Sequence, residues 1–397
     1  RFQVWNKTGY IFKGKPYQSI GLMNQFTYHR QNSFFGWRNY FGEQKTYYSN
    51  LIFESIIGNT NHKYKTGASF LFDQYNEDYL AQNYQRTESV PGLFFEYTLT
   101  GLQYTLVAGV RSDFHNLAGT QVSPRLNFKY DISPKTIVRI SAGKGFRTAN
   151  IFAENQQFFA SNRTLEILNN QGKIYGLKPE IAWNYGISLQ QDFKLFGRKA
   201  SWVTDFFRTD FQNQVLADLE NPQKITFYNL TGKSFANSLQ TQLDFSVVKN
   251  LDFRLAYKYY DVEADFASGR KEIPFVAKNR GFFNAAYSTK KENQEAFWSF
   301  DTTLQYVGEQ RIPNTSTNPA NLQLPAFSKS YFTLNVQVAH QFNKNIRAYF
   351  GGENLTGYTQ KNPILDAQNP FGNYFDGGMV YAPIMPANLY VGLDVKF

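Results

Sequence analysis

The most regular feature of the chain is an alternation of apolar and polar side chains, and it is clearest at the C-terminal end. There, apolar side chains occupy every second position, at Leu389, Val391, Leu393, Val395 and Phe397. Successive side chains of a β-strand point to opposite faces, so this pattern predicts a strand with one apolar and one polar face. The same alternation recurs along the chain, for example in residues 237–248, 251–264 and 331–342.

Seventeen segments are predicted as strands on this basis. They are residues 1–12, 17–29, 48–57, 62–74, 92–100, 102–113, 121–131, 136–146, 179–193, 199–213, 237–248, 251–264, 277–289, 296–308, 331–342, 345–355 and 388–397. No stretch longer than ten residues carries the apolar stripe of a helix. The sequence also lacks the run of about 18 apolar residues that a transmembrane helix requires.

The connections between the predicted strands alternate in length. Eight are short, namely residues 13–16, 58–61, 101, 132–135, 194–198, 249–250, 290–295 and 343–344. The other eight are mostly long, namely 30–47, 75–91, 114–120, 147–178, 214–236, 265–276, 309–330 and 356–387. Outer-membrane barrels have short periplasmic turns and long extracellular loops, whereas a soluble sandwich has no reason to place every long loop at one end. The sequence therefore predicts an all-β protein, a transmembrane antiparallel up-and-down β-barrel.

The direction of each strand follows from these connections. Strands 1–12 and 388–397 both run toward the short-turn end, so the predicted number of strands is odd. Bacterial single-chain barrels normally have an even number, and an open sheet edge leaves unpaired backbone groups in lipid. We therefore expect at least one further strand before Arg1, unless the count of seventeen is wrong by one.

The composition supports a membrane barrel. Aromatic residues make up 18% of the 397 residues, as girdles at both membrane interfaces would require; a large aromatic-rich soluble sandwich is the alternative. The net charge is +10, but no block of five like charges occurs, so we predict no nucleic-acid partner. The absence of cysteine excludes disulfides, thiolate metal sites and cysteine nucleophiles.

The search for catalytic and metal-binding motifs gives little. The histidines lack ligand spacing, and neither a DxDxDG loop nor a GxSxG elbow occurs. In the predicted loop 75–91, oxygen ligands for an ion are present at Asn76, Glu77, Asp78 and Glu88, but a solvated loop is the simpler interpretation. We predict no metal, no cofactor and no enzymatic activity. The alternative is a Ser–His–Asp arrangement on the barrel wall, as in a membrane phospholipase.

An ordered series of segments resembles the C-terminal barrel of TonB-dependent outer-membrane receptors. The series comprises PRLNFKYDISPKTIVRISAGKGFRTA from residue 124, GLKPEIAWNYGISLQQDF from 176, WVTDFFRTDFQNQV from 202, NLTGKSFANSLQTQLDF from 229, GGENLTG from 351 and the terminal LYVGLDVKF. The resemblance covers about the last 280 residues, and the earlier part of the chain is compatible with it. No single segment is specific, but their order is.

The resemblance implies a barrel of about twenty-two strands around an N-terminal plug. About seventeen strands are present, and neither a plug domain nor a TonB box is recognisable, so residues 1–397 are interpreted as one barrel domain that is incomplete on its N-terminal side. The implied partners are the TonB–ExbB–ExbD complex, reached through the plug region, and the barrel-insertion machinery. Outer-membrane lipid, lipopolysaccharide and a surface lipoprotein are further expected partners.

Ligand contacts are expected from aromatic and basic residues of the predicted extracellular loops, because aromatic surfaces suit flat, partly apolar chelates. The candidates are Phe34, Trp37, Tyr40, Phe158, Phe159, Arg163, Tyr374 and Phe375. The alternative role for these side chains is packing between loops and an outer-leaflet girdle. Charges inside the family's barrel pair with the plug, which implies plug-facing roles for Arg125 and Arg139; solvation of the inner wall is the alternative. Terminal Phe397 resembles the residue that the barrel-insertion machinery recognises.

The function implied by the resemblance is TonB-energised uptake of a scarce nutrient chelate, such as an iron–siderophore or cobalamin, across the bacterial outer membrane. Two alternatives remain open at this point. The first is a passive porin-like channel without TonB dependence. The second is the barrel component of a surface-assembly or secretion complex.

Overall fold

A computed structural model describes residues 1–80, 82–168, 172–291 and 294–397. Its wall consists of seventeen long strands: β1 (Phe2–Ile11), β2 (Ser19–Phe35), β3 (Arg38–Ile57), β4 (Asn59–Tyr79), β5 (Gln82–Thr100), β6 (Tyr104–His115), β7 (Gly119–Ser133), β8 (Thr136–Arg147), β10 (Glu180–Leu195), β11 (Arg198–Asn213), β14 (Ser234–Val248), β15 (Leu251–Phe266), β17 (Asn279–Ser288), β18 (Phe297–Val307), β19 (Tyr331–Gln341), β20 (Ile346–Glu353) and β21 (Asn388–Val395). The predicted all-β architecture and the predicted number of strands are confirmed.

Shorter elements lie in the connections. They are the helix α1 (Ile151–Glu154), three 3-10 segments (Gln156–Phe158, Ile174–Gly176 and Ala320–Leu322), and the strands β9 (Thr164–Ile167), β12 (Val215–Asp218), β13 (Lys224–Asn229) and β16 (Gly269–Glu272). Among the described residues, none of the helices has the length and apolar character needed to cross a membrane.

Each wall strand pairs antiparallel with the wall strand that follows it in the chain, from β1 to β21. This is an up-and-down topology, in which β8 pairs with β10, β11 with β14, and β15 with β17. The short strands stand apart from this order. Strands β9, β12 and β13 form a separate three-stranded sheet, and β16 pairs with the end of β15.

The two faces of the wall differ in chemistry, as the alternation predicts. One face, here called the outer face, exposes large apolar side chains such as Leu93 and Phe95 on β5 and Trp298 and Phe300 on β18. Exposed apolar side chains on a wall of this kind are stable when they face lipid. The opposite, inner face carries polar groups and also receives the longest loops.

Three of the predicted loops are wrong, because the strands extend through them. Strands β2 and β3 continue to a two-residue turn at residues 36–37, where Gly36 adopts a positive φ of 61°. Similarly, β4 extends to Tyr79 and β5 begins at Gln82, and β6 and β7 meet at residues 116–118. Residues 30–47, 75–91 and 114–120 are therefore mostly tall hairpins. In their upper parts polar residues occur at both alternating positions, with aromatic residues among them, so the apolar–polar alternation on which the prediction relied is lost.

The other five long connections lie at the same end as the tall hairpins, as predicted. They are residues 148–179, 214–233, 267–278, 308–330 and 354–387. The main apolar cluster of the protein also lies at this end. It joins aromatic side chains of β3 and β4 to those of loop 148–179, so the best-packed part of the chain is its long-loop end.

Candidate functional site

Loop 148–179 packs against the inner face of the tall hairpins and forms the centre of the candidate site. Phe159 is stacked on Tyr79 of β4, with 4.7 Å between ring centroids, and Phe152 lies 5.2 Å from the same ring. Tyr40 of β3 lies 5.5 Å from Phe159. All of these side chains are buried. Aromatic packing of this kind fixes the loop on the hairpins, so the loop forms a folded layer.

A buried guanidinium lies beneath this layer. Arg86 of β5 donates a 2.8 Å hydrogen bond to Glu88 and another of 2.8 Å to the phenol oxygen of Tyr175. It also donates to Asn150, while Tyr175 donates to Glu77. Burial, followed by the nearby Glu77 carboxylate, raises the pKa of Tyr175 and keeps this phenol a donor. Because a buried charge requires such partners, Arg86 holds loop residues 150 and 175 in place.

The Glu88 carboxylate extends this network toward β6. The hydroxyl of Thr148 donates to both carboxylate oxygens, at 3.0 and 3.1 Å. The imidazole of His115 lies 3.4 Å from the same carboxylate. The carboxylate therefore joins the start of loop 148–179 to two wall strands.

A second buried ion pair joins three loops. Arg163 donates a 2.7 Å hydrogen bond to Asp376, and their side chains are only 2% and 6% exposed. The same guanidinium donates to the backbone carbonyls of Leu219 at 3.0 Å and Asn221 at 2.9 Å. Loops 148–179, 214–233 and 354–387 therefore meet at one side chain.

Two further contacts complete this group, one within it and one to the remaining long loops. Strand β9 of loop 148–179 pairs in parallel with β13 of loop 214–233. In the second contact, Glu220 accepts hydrogen bonds from Lys271 at 2.5 Å and from Arg311 at 2.6 Å. Burial raises the pKa of Glu220, but these two cations outweigh it and lower the pKa overall. We call the assembled loops and the hairpin tips beneath them the loop cap.

The predicted ligand residues occupy different environments in the loop cap. Phe34 on β2 and Trp37 at the hairpin tip are 79% and 57% exposed. Tyr374 and Phe375 in loop 354–387 are half-buried. The remaining candidates are buried within the cap, namely Tyr40, Phe158, Phe159 and Arg163. In this structure the buried side chains are inaccessible to a ligand and hold the loops together, whereas the exposed pair and the half-buried pair are available for contact.

The two predicted plug-facing arginines lie on the inner face. Arg125 of β7 pairs with Glu96 of β5. The intervening partner on β6 is Gly109, whose missing side chain lets the guanidinium reach across that strand. Arg139 of β8 lies 3.5 Å from the side-chain oxygen of Gln190. These positions are compatible with solvation of the inner wall and with contact to a second domain.

The acidic residues of segment 75–91 are not grouped as ion ligands. Glu77 and Glu88 belong to the Arg86 network, whereas Asp78 and Asn76 both accept from Asn83. Within the described ranges, no group of three or more His, Cys, Asp or Glu side chains is arranged to hold a metal ion.

The residues that organise the site were largely missed by sequence reasoning. Arg86, Tyr175 and Asp376 follow no spacing rule, because their partners lie far away in the chain. The separation is 89 residues between Arg86 and Tyr175 and 213 residues between Arg163 and Asp376. Only a comparison of related sequences, in which such partners vary together, would reveal these pairs.

The wall is antiparallel and up-and-down, its outer face is apolar, and it has short turns at one end and a loop cap at the other. These features define the class of bacterial outer-membrane β-barrels. Within that class, the chain belongs to the TonB dependent receptor-like β-barrel family, which matches residues 3–355. Its location is accordingly the outer membrane of Gram-negative bacteria. A search of curated proteins found no match.

Solved structures with the same fold include three that cover all or nearly all of the chain. The ferric-catecholate import receptor Fiu from Escherichia coli, in its closed form, has a TM-score of 0.70 and 12% identity, and the match covers 100% of this chain and 64% of Fiu. FpvA of Pseudomonas aeruginosa bound to heterologous pyoverdines has a TM-score of 0.70 and 13% identity, and the match covers 100% of this chain and 56% of FpvA. The copper transporter OprC has a TM-score of 0.69 and 14% identity, and the match covers 96% of this chain and 62% of OprC. The chain thus spans less than two thirds of these structures.

Proposed function

We propose that the protein is an outer-membrane receptor that takes up a scarce nutrient chelate with energy supplied by the TonB–ExbB–ExbD complex. The observation that carries this proposal is the loop cap, which lies at one end of a barrel of the TonB-dependent family. Exposed aromatic side chains at its edge, such as Trp37, suit a flat and partly apolar ligand. The solved structures of similar fold include a ferric-catecholate receptor and a copper transporter, which supports a metal chelate as the substrate class.

In this proposal the barrel performs no covalent chemistry. The ligand binds at the cap and at the top of a plug contributed by another part of the receptor, and TonB pulls on that plug. Transport then depends on a difference in binding free energy between the closed and the open receptor. Arg125 and Arg139 would face the plug and exchange partners as it moves.

Growth on defined nutrient sources tests the proposal. A deletion strain should lose growth on one chelate supplied as the sole source of its metal, and expression of the intact protein should restore it. Restoration should fail in a strain without TonB. Uptake that continues without TonB would instead identify a passive channel. Native purification followed by mass spectrometry and metal analysis would then identify the bound ligand directly.

A further inference from the structure

The short-turn end of the wall carries a row of exposed basic side chains. Lys13 and Lys15 lie in the turn between β1 and β2, Arg198 begins β11, Lys249 lies between β14 and β15, and Lys344 lies between β19 and β20. All five are exposed. We call this set the basic rim.

A belt of aromatic rings lies directly above the basic rim on the outer face. Phe196 starts a ladder that continues through Phe245, Phe253 and Phe283, with successive centroids 6.5, 5.4 and 5.9 Å apart. Each rung comes from a different turn or strand near the rim. Aromatic rings in such positions mark the level of the lipid headgroups.

The belt continues along the next two strands, β18 and β19. The ring of His340 lies 4.5 Å from that of Trp298 and 4.5 Å from that of Phe342. Phe342 opens the turn that contains Lys344. Ring and cation are therefore neighbours in the chain, and the cation lies in the turn itself, beyond the end of the strand.

Acidic side chains near this end face the other way. Asp192, Asp244 and Asp252 line an inner cavity of about 750 Å³. Asp244 is paired there with Arg254 at 2.5 Å, and Asp192 accepts a hydrogen bond from Ser201 at 2.7 Å. Because these three carboxylates lie on the inner face, they do not pair with the five basic side chains of the rim.

From this arrangement we propose that the basic rim binds anionic phospholipid of the periplasmic leaflet. Short turns of outer-membrane barrels face the periplasm, so the rim meets phospholipid and not the lipopolysaccharide of the other leaflet. Basic side chains within a few ångströms of an anionic membrane surface attract its headgroups. The selectivity is for a net negative headgroup such as phosphatidylglycerol over zwitterionic phosphatidylethanolamine. This proposal is independent of which nutrient the receptor transports.

The test uses the intact receptor in nanodiscs that contain phosphatidylethanolamine and phosphatidylglycerol in a 3:1 ratio. Native mass spectrometry of the ejected protein counts the retained lipids of each class. The wild-type protein should retain phosphatidylglycerol in excess of its share of the bilayer. This excess should fall at least tenfold in a variant in which all five rim residues are changed to Gln, namely Lys13, Lys15, Arg198, Lys249 and Lys344. Removal of each cation weakens the attraction by about fivefold.

Two controls keep the test decisive. The first removes five exposed lysines from loops at the other end, namely Lys173, Lys178, Lys233, Lys329 and Lys361, and should leave the enrichment unchanged. The second exchanges Lys and Arg at the rim, which keeps the charge and should keep the enrichment. Equal retention of both lipid classes by the wild-type protein, or equal losses in the rim and loop variants, would overturn the proposal. A receptor that fails to transport but still enriches the anionic lipid would contradict only the proposed function.

Discussion

Replacement of Arg163 by Met is expected to open the loop cap without unfolding the wall. The substitution removes a cation from a pair that is almost fully buried. It leaves the carbonyls of Leu219 and Asn221 without the guanidinium donor, and the Asp376 carboxylate with only the Gly378 amide. Breaking one side of a buried ion pair costs about 3–5 kcal/mol. Since about 1.4 kcal/mol corresponds to a factor of ten, local opening should become about a hundredfold to a few thousandfold more frequent.

Hydrogen exchange of two amides measures this opening. The Asn162 amide donates to the Phe375 carbonyl at 2.7 Å, and the Gly377 amide donates to the Ala160 carbonyl at 2.8 Å. Both bonds join loops 148–179 and 354–387, so they break when the cap opens. In the Arg163→Met variant their protection should fall by the stated factor, while amides of β18 and β19 keep their protection.

A matched control and a double variant make this prediction exacting. The exposed pair of Lys224 and Glu166 lies in the same cap, at 2.8 Å with side chains 41% and 43% exposed; Lys224→Met should change protection by less than about fivefold. Adding Asp376→Leu to Arg163→Met removes the unpaired carboxylate and should recover part of the protection. If the single variant exchanges no faster than the Lys224 control, the ion pair does not hold the cap and the reasoning is refuted.

Three further predictions concern other parts of the protein. Because the pKa of Glu220 is lowered in the folded protein, its ion pairs stabilise the cap fully above the ordinary pKa of 4.5, and this stabilisation is lost as the pH falls through the lower folded value. Hydrogen exchange near residue 220 should therefore become faster at acidic pH in the wild type, but much less so in Glu220→Gln. Substitution of Gly67 by Ala should destabilise the wall by about 1–3 kcal/mol, because a Cβ there would lie 1.9 Å from the backbone oxygen of Leu51; a heat-dependent gel shift of the purified protein checks this, and an unchanged midpoint would contradict it. Phe397→Ser should reduce the amount of folded protein in the outer membrane while the purified variant stays as stable as wild type, as measured by fractionation and by the same gel shift.

The wall could be predicted from the sequence, because lipid on one side imposes the alternation on each strand. The prediction of strand residues ended where the strands extend beyond the lipid. Above the membrane, residues such as Asn39, Glu77 and Gln85 belong to strands whose outer face no longer meets lipid, so these segments resemble loops in composition.

The loop cap could be predicted only in outline. The sequence identifies aromatic residues in the loops, but it does not separate a buried ring such as Phe159 from an exposed one such as Phe34. Each belongs to a pair of consecutive phenylalanines, Phe34–Phe35 and Phe158–Phe159, in an aromatic-rich stretch. Whether each ring is buried depends on contacts with distant segments, and no local sequence pattern indicates such contacts.

The ion pair of Arg163 and Asp376 also has a consequence for the order in which the protein is built. Its two members are separated by 213 positions, and Asp376 lies in the connection between the last two strands, β20 and β21. Contacts so distant in the chain form late, after the intervening strands have been laid side by side. The outward-facing end of a nascent barrel therefore stays unsealed until the hairpin of β20 and β21 is added, and closure of that end reports that this hairpin is in place.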